Sequence, residues 1–195
     1  MAGRWIPSRR VLGIIVAIAI TNAAQGAQKL PPGILRTEEI KELSETQAAT
    51  LVASSRGQPL LLSGLPKLTP EVANLLAQHD GLLSLTGLSH IDAATAAALA
   101  RAKGPLTLSG ISRIEGPTAT AMAKSNAHIT LTGLVALDSV ELATKLASQL
   151  GTLTLGGIVS VHQPVAIALA GCRGDLYLDN LEALDSPELA AKLAS

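Results

Sequence analysis

The sequence contains no phenylalanine, one tryptophan, one tyrosine and one cysteine in 195 residues. Aromatic side chains are the usual large fillers of cores and anchors of interfaces, so core and surface alike must be built from smaller groups. The single thiol, Cys172, cannot close an internal disulfide, and no covalent staple contributes to the fold. Charge is sparse and balanced, with 15 Lys and Arg against 15 Asp and Glu. No basic cluster interleaved with aromatics occurs, which argues against nucleic acid as a partner. The apolar run at residues 11–20 is 10 residues long, about half of what a membrane-crossing helix needs.

That run has the setting of a secretory signal. Arg4, Arg9 and Arg10 precede it, and Ala24-Gln25-Gly26 follows with small residues suited to cleavage. Residues 1–27 are therefore expected to be a signal peptide, with no stable membrane span after processing and a secreted or periplasmic destination. Ser8-Arg9-Arg10 is followed by Val11-Leu12-Gly13, a poor match to twin-arginine export, and no cysteine at the end of the run could carry a lipid. Removing residues 1–26 leaves 12 basic against 15 acidic residues, a net charge of −3. Residues 28–36, with Pro31-Pro32, read as a linker, and residues 37–59 as an irregular N-terminal capping unit whose charged face (Glu38, Glu39, Lys41, Glu42, Glu45) closes the array against water.

From residue 60 to 195 the chain repeats six times. Gly64, Gly87, Gly110, Gly133, Gly157 and Asn180 recur at intervals of 23, 23, 23, 24 and 23 residues, the mark of a solenoid. Glycine and asparagine both tolerate positive φ, so a left-handed bend is expected after each strand. An L-x-L strand core precedes each of these residues. Behind it come Ala73/Leu76/Ala77, Ala96/Leu99/Ala100, Ala119/Met122/Ala123, Ala143/Leu146/Ala147, Ala166/Leu169/Ala170 and Ala190/Leu193/Ala194, each one face of a short helix. The fourth unit has one extra residue before its helix. The sixth unit shares it, since residues 137–148 and 184–195 differ only at Val140/Pro187 and Thr144/Ala191, as recent duplication would leave them.

Helix boundaries are marked as well. Thr69, Asp92, Asp138 or Ser139, and Asp185 or Ser186 are N-cap types, and Pro70, Pro117, Pro164 and Pro187 suit the first turn. Gly81, Gly104, Gly151 and Gly174 are expected as C-terminal stops, with Ala127 in the corresponding place. Cys172 aligns with His79, Ala102, Ser125 and Ser148, an inert helix-end position.

These units resemble leucine-rich repeats of the short strand-plus-helix kind found in secreted bacterial proteins. The asparagine place of that pattern is taken by Leu88, Ile111, Leu134, Ile158 and Leu181, so an asparagine ladder is not implied. The expected fold is α/β: a right-handed solenoid of about six strand-turn-helix repeats, with one parallel sheet on the concave side and short helices outside. The resemblance implies a protein-binding scaffold rather than a particular partner.

Alternation along the strands turns Ser84, Thr86, Thr107, Ser109, Thr130, Thr132, Thr154 and Tyr177 outward as an uncharged, hydroxyl-rich candidate face. Leu61 and Ser63 begin this series, and Gly156 and Asp179 interrupt it. The face suits simple solvation of β-branched residues, binding of a protein or peptide, or contact with an ice or crystal surface through T-x-T rows. The histidines at 79, 90, 128 and 162 share no register, although His79-Asp80 and His90 with Asp92 are local acid–base pairs. A catalytic or metal set needs convergence, so a non-enzymatic scaffold without a cofactor is expected. At the C-terminal edge, Leu176, Tyr177 and Leu178 admit three readings: self-association, a truncated array, or solubility maintained by Asp179, Asp185 and Glu188.

Overall fold

The computed structural model describes residues 40–55 and 57–194. The expected signal peptide and linker lie outside the described residues, as does the start of the expected capping unit. Each repeat becomes one strand and one helix. The strands are β1 (Leu60–Leu61), β2 (Leu83–Ser84), β3 (Leu106–Thr107), β4 (Ile129–Thr130), β5 (Leu153–Thr154) and β6 (Leu176–Tyr177). Helix α1 (Glu45–Ser55) precedes β1. After the successive strands come α2 (Pro70–Leu76), α3 (Ala93–Leu99), α4 (Gly116–Ala123), α5 (Val140–Ala147), α6 (Gln163–Ala170) and α7 (Pro187–Leu193).

Helices of this length do not persist alone in water; they are held by caps and by packing on the next unit. Thr69, Asp92, Ser139 and Ser186 accept hydrogen bonds from the N–H groups of Val72, Thr95, Leu142 and Leu189. Where the sequence left Asp138 or Ser139, and Asp185 or Ser186, the serine is the cap in both cases. Helix α1 starts later than residue 37 because Ser44 and Gln47 form a reciprocal cap. The Ser44 N–H donates to Gln47 Oε1 at 2.9 Å, and the Gln47 N–H to Ser44 Oγ at 3.3 Å.

Parallel pairing sets neighbouring strands one repeat apart, Leu60 opposite Leu83, Leu83 opposite Leu106 and Leu106 opposite Ile129. Leu83, Leu85 and Leu88 turn into the core with their counterparts Leu106, Leu108 and Ile111, all at most 2 % exposed. Each such leucine contributes about 1.5–3 kcal/mol through burial. Behind them Ala73, Ala96, Ala119, Ala143 and Ala166 are also at most 2 % exposed, and their small size lets consecutive helices pack closely. The place taken from the leucine-rich asparagine is thus an apolar core position.

Two expectations need correction. The repeat glycines do not bend the chain to the left: only Gly57 and Gly151 among the described glycines have positive φ, at 76° and 98°. Glycine recurs because backbones of successive units almost touch. A Cβ on Gly110 would lie 2.5 Å from the Leu88 carbonyl oxygen, and one on Gly157 would lie 2.6 Å from that of Leu134. Gly81, Gly104 and Gly174 are likewise not helix stops. The helices have already ended, mostly in right-handed caps, and these glycines sit against main-chain atoms of Gly57, Gly81 and Gly151 in the preceding unit.

The second correction concerns the single expected sheet. There are two, β1-β2-β3-β4 and β5-β6. At the break the Ile129 N–H meets the Gln149 side-chain oxygen at 2.5 Å, and Gln149 Nε2 donates to the Ile129 carbonyl at 3.1 Å. A side-chain amide thus stands where a neighbouring strand would pair.

Candidate binding face

The outward strand positions are in register within each sheet: Leu61, Ser84, Thr107 and Thr130 across the first, and Thr154 and Tyr177 across the second. Ser84, Thr107, Thr130 and Thr154 are partly buried by their neighbours, while Leu61 and Tyr177 are about half exposed, at 51 % and 49 %. Strands end after two residues, so Thr86, Ser109 and Thr132 belong to the following turns. Thr86 is exposed, and Ser109 and Thr132 are half-buried.

Some hydroxyls are engaged: Ser139 and Ser186 cap helices, Thr50 and Thr144 bond back to helical carbonyls, and Ser55 and Ser125 are tied in buried contacts. Outside these rows, the hydroxyls of Ser89, Ser112, Thr118, Thr120, Thr152 and Ser160 make no hydrogen bond among the described residues. Neither do those of Ser84, Thr86, Thr107, Ser109, Thr130, Thr132 and Thr154. They are available to a ligand's polar groups, while β-branched carbons supply a flat apolar floor. Asp179 is the only charge in these rows, and its carboxylate reaches over Gly156, 3.3 Å from where a Cβ would stand.

The histidines divide by burial. His79 is 2 % exposed; its Nε2 meets the Gln58 carbonyl at 2.8 Å and its Nδ1 meets Ser55 Oγ at 3.1 Å. A carbonyl only accepts, so Nε2 carries the proton and, in the neutral ring, Nδ1 accepts from Ser55. This ring fastens α1 to the first unit. His90, His128 and His162 are exposed, and His162 begins α6 without a side-chain cap bond. Asp92, beside His90, spends its carboxylate on the Thr95 N–H at 2.7 Å; that bond, first among several, holds its pKa below the ordinary value. No three His, Cys, Asp or Glu side chains among the described residues are grouped to hold a metal ion.

Cys172 is a buried free thiol within the core. Its row is corrected by one residue: Gln149, not Ser148, lies two positions before Gly151, as His79 lies before Gly81 and Cys172 before Gly174. The signal was the 24-residue step from Ala127 to Gly151, where neighbouring steps are 23.

A groove of about 530 Å³ opens between the approaches to α4 and α5, bounded by Arg113, Glu115, Thr120, Asp138 and Glu141. Its charges are mixed and open to solvent. No helix among the described residues is long and apolar enough to cross a membrane. No family model, curated protein or solved structure matches this chain.

Proposed function

We propose that the chain is an exported, non-enzymatic scaffold, a right-handed solenoid resembling leucine-rich repeats, that binds a protein or peptide through its strand face. The observation that carries this reading is the column of hydroxyls at Ser84, Thr107 and Thr130, held in register by strand pairing and free of internal hydrogen bonds. Parallel strand–helix–strand crossovers are almost uniformly right-handed. Strands spaced about 4.8 Å apart beside helices that need about 8–10 Å place the sheet on the inner side of the curve. An extended peptide lying across the rows would meet hydroxyl donors and acceptors at strand spacing, with Leu61 and Tyr177 as the larger apolar contacts.

The alternative of an ice or crystal surface needs one unbroken lattice of hydroxyls. The break between β4 and β5 and the Gly156 and Asp179 interruptions weigh against it.

Peptides selected from a displayed library against the full chain are expected to lose binding when Thr107→Lys and Thr130→Lys are combined. They should keep it with Ala97→Lys, which is exposed on α3. Binders indifferent to the face substitutions would sink the reading. Export is tested separately: expression with residues 1–27 intact in a bacterial host should yield protein outside the cytoplasm with its N-terminus near residue 28.

A further inference from the structure

Units joined within one sheet are held by main-chain hydrogen bonds between their strands, two at every junction and a third beyond the strand at two of them. Between the third and fourth units, the Leu106 N–H donates to the His128 carbonyl at 2.8 Å, Leu108 to Thr130 at 2.9 Å, and Val135 to Ser112 at 2.9 Å. The fifth and sixth units repeat this pattern, with Leu153 donating to Asp175 at 2.8 Å, Leu155 to Tyr177 at 2.9 Å, and Glu182 to Val159 at 2.9 Å. Between the fourth and fifth units all three are missing. The one main-chain hydrogen bond crossing that boundary among the described residues is the long Arg173 to Ala147 contact at 3.4 Å, behind the helices.

The edge left by this break is finished as an edge. Gln149 presents both halves of an amide to Ile129, accepting from its N–H and donating to its carbonyl, so the Ile129 main chain stays satisfied without β5. The Leu131 N–H, however, does not make the bond that its counterparts Leu85 and Leu108 make to the next strand. On the other side Gly151 has positive φ and open space where its Cβ would be. Gly57, the only other positive-φ glycine among the described residues, also has open space and leads into β1, the first strand of the first sheet. The fifth unit therefore begins as a first unit does. A cavity of about 10 Å³, bounded by His128, Thr130, Gln149, Gly151 and Thr152, lies in the gap, and Leu150 beside it is 75 % exposed. What holds the boundary closed is apolar: α5 packs on α6 as closely as the earlier helices pack on one another, Leu142, Leu146, Val165 and Leu169 belong to one core, and Gly157 approaches the Leu134 carbonyl closely.

We propose that this boundary is a parting plane built into the fold. The fifth and sixth units, residues 151–194, open from the first four as one body, and the Gln149 carboxamide keeps the β4 edge capped as they do. Opening breaks almost no main-chain hydrogen bonds. It uncovers the apolar face of α5 and separates the hydroxyl column into a four-row plate and a two-row plate.

Native-state hydrogen exchange on the full chain tests this. Two units are too few to keep a core once detached. Parting therefore exposes the amides of Leu153 and Leu155, which donate within the pair, together with those of helices α6 and α7. They are expected to share one opening constant, at least about tenfold larger than that of Leu83, Leu85 and Leu106. Gln149→Ala should speed exchange at Ile129 by about tenfold, the scale of one lost hydrogen bond, and leave Leu83 and Leu106 unchanged. Sequential opening, with β6 and α7 ahead of β5 and α6, would be fraying from an end and would overturn the proposal. So would equal opening constants on the two sides of the boundary, or an Ile129 amide indifferent to Gln149→Ala. If that variant does not fold, the comparison within the wild-type protein decides alone.

Discussion

A glycine in this chain answers to one of three constraints, and alanine substitution separates them. At Gly110 the added methyl would meet the Leu88 carbonyl at 2.5 Å, so Gly110→Ala should destabilise by about 1–3 kcal/mol through overpacking. Gly151 has room but a φ of 98°, and Gly151→Ala should cost about 1–2 kcal/mol through backbone strain. Gly116 has room and lies in the first turn of α4; Gly116→Ala should stabilise by about 0.5 kcal/mol by restricting the unfolded chain. Denaturant titration of the three variants checks the order. Asp92 offers a second test. Its carboxyl is held below the ordinary pKa by the Thr95 N–H, so the contribution is complete above the unfolded value near 4 and is lost as pH falls through the lower folded value. Asp92→Ala should cost about 1 kcal/mol at neutral pH, and its melting temperature should converge on the wild type under acid conditions. Glu141 and Glu188 are lowered in the same direction, Glu141 chiefly by its own N–H and Glu188 chiefly by the Ser186 hydroxyl. They belong to the same acid-sensitive set.

At the scale of the element, the same side chain has a different worth according to what stacks beyond it. Leu108 is fully buried with units on both sides, whereas its counterpart Leu178 in β6's unit is only partly buried. Leu108→Ala is expected to cost about 2–5 kcal/mol, and Leu178→Ala less than half as much, measured by thermal or denaturant unfolding. Helix α5 and helix α7 share nearly one sequence and one cap. Ser139 donates to Glu141 at 2.8 Å, and Ser186 to Glu188 at 2.7 Å. Yet Leu146 is buried and Leu193 is 38 % exposed. Caps and apolar stripes were legible because each is local, a hydroxyl three residues before its amide or a leucine three residues after its alanine. The start of α1 at Glu45 is set in the same local way, by the reciprocal Ser44–Gln47 bonds.

For the whole molecule, the core and the proposed binding face lie on opposite sides of the strands. Thr107→Lys and Thr130→Lys lie outside the core, so the double variant should unfold within about 0.5 kcal/mol of the wild type per substitution, even where it abolishes peptide binding. A large loss of stability would show that the hydroxyl column is structural. The purified protein is expected to show no thermal hysteresis in freezing assays, since its hydroxyl rows do not continue across the β4–β5 break. The outward column itself was readable from strand alternation, residue by residue. Its division at Gln149 was not, because the sheet partner of Ile129 is chosen by geometry between units.

The sequence by itself determined the period, the strand leucines, the alanine–leucine helix faces, the capping hydroxyls and the outward set from Ser84 to Tyr177. All of these depend on spacing within one repeat. Only the tertiary structure decided why glycine recurs at 87, 110, 133 and 157, why Gly57 and Gly151 differ from the rest, and where one sheet ends and another begins. Those outcomes depend on the distance between atoms some 23 residues apart. Along that distance one glutamine side chain takes the place at Ile129 that a strand takes in the earlier units.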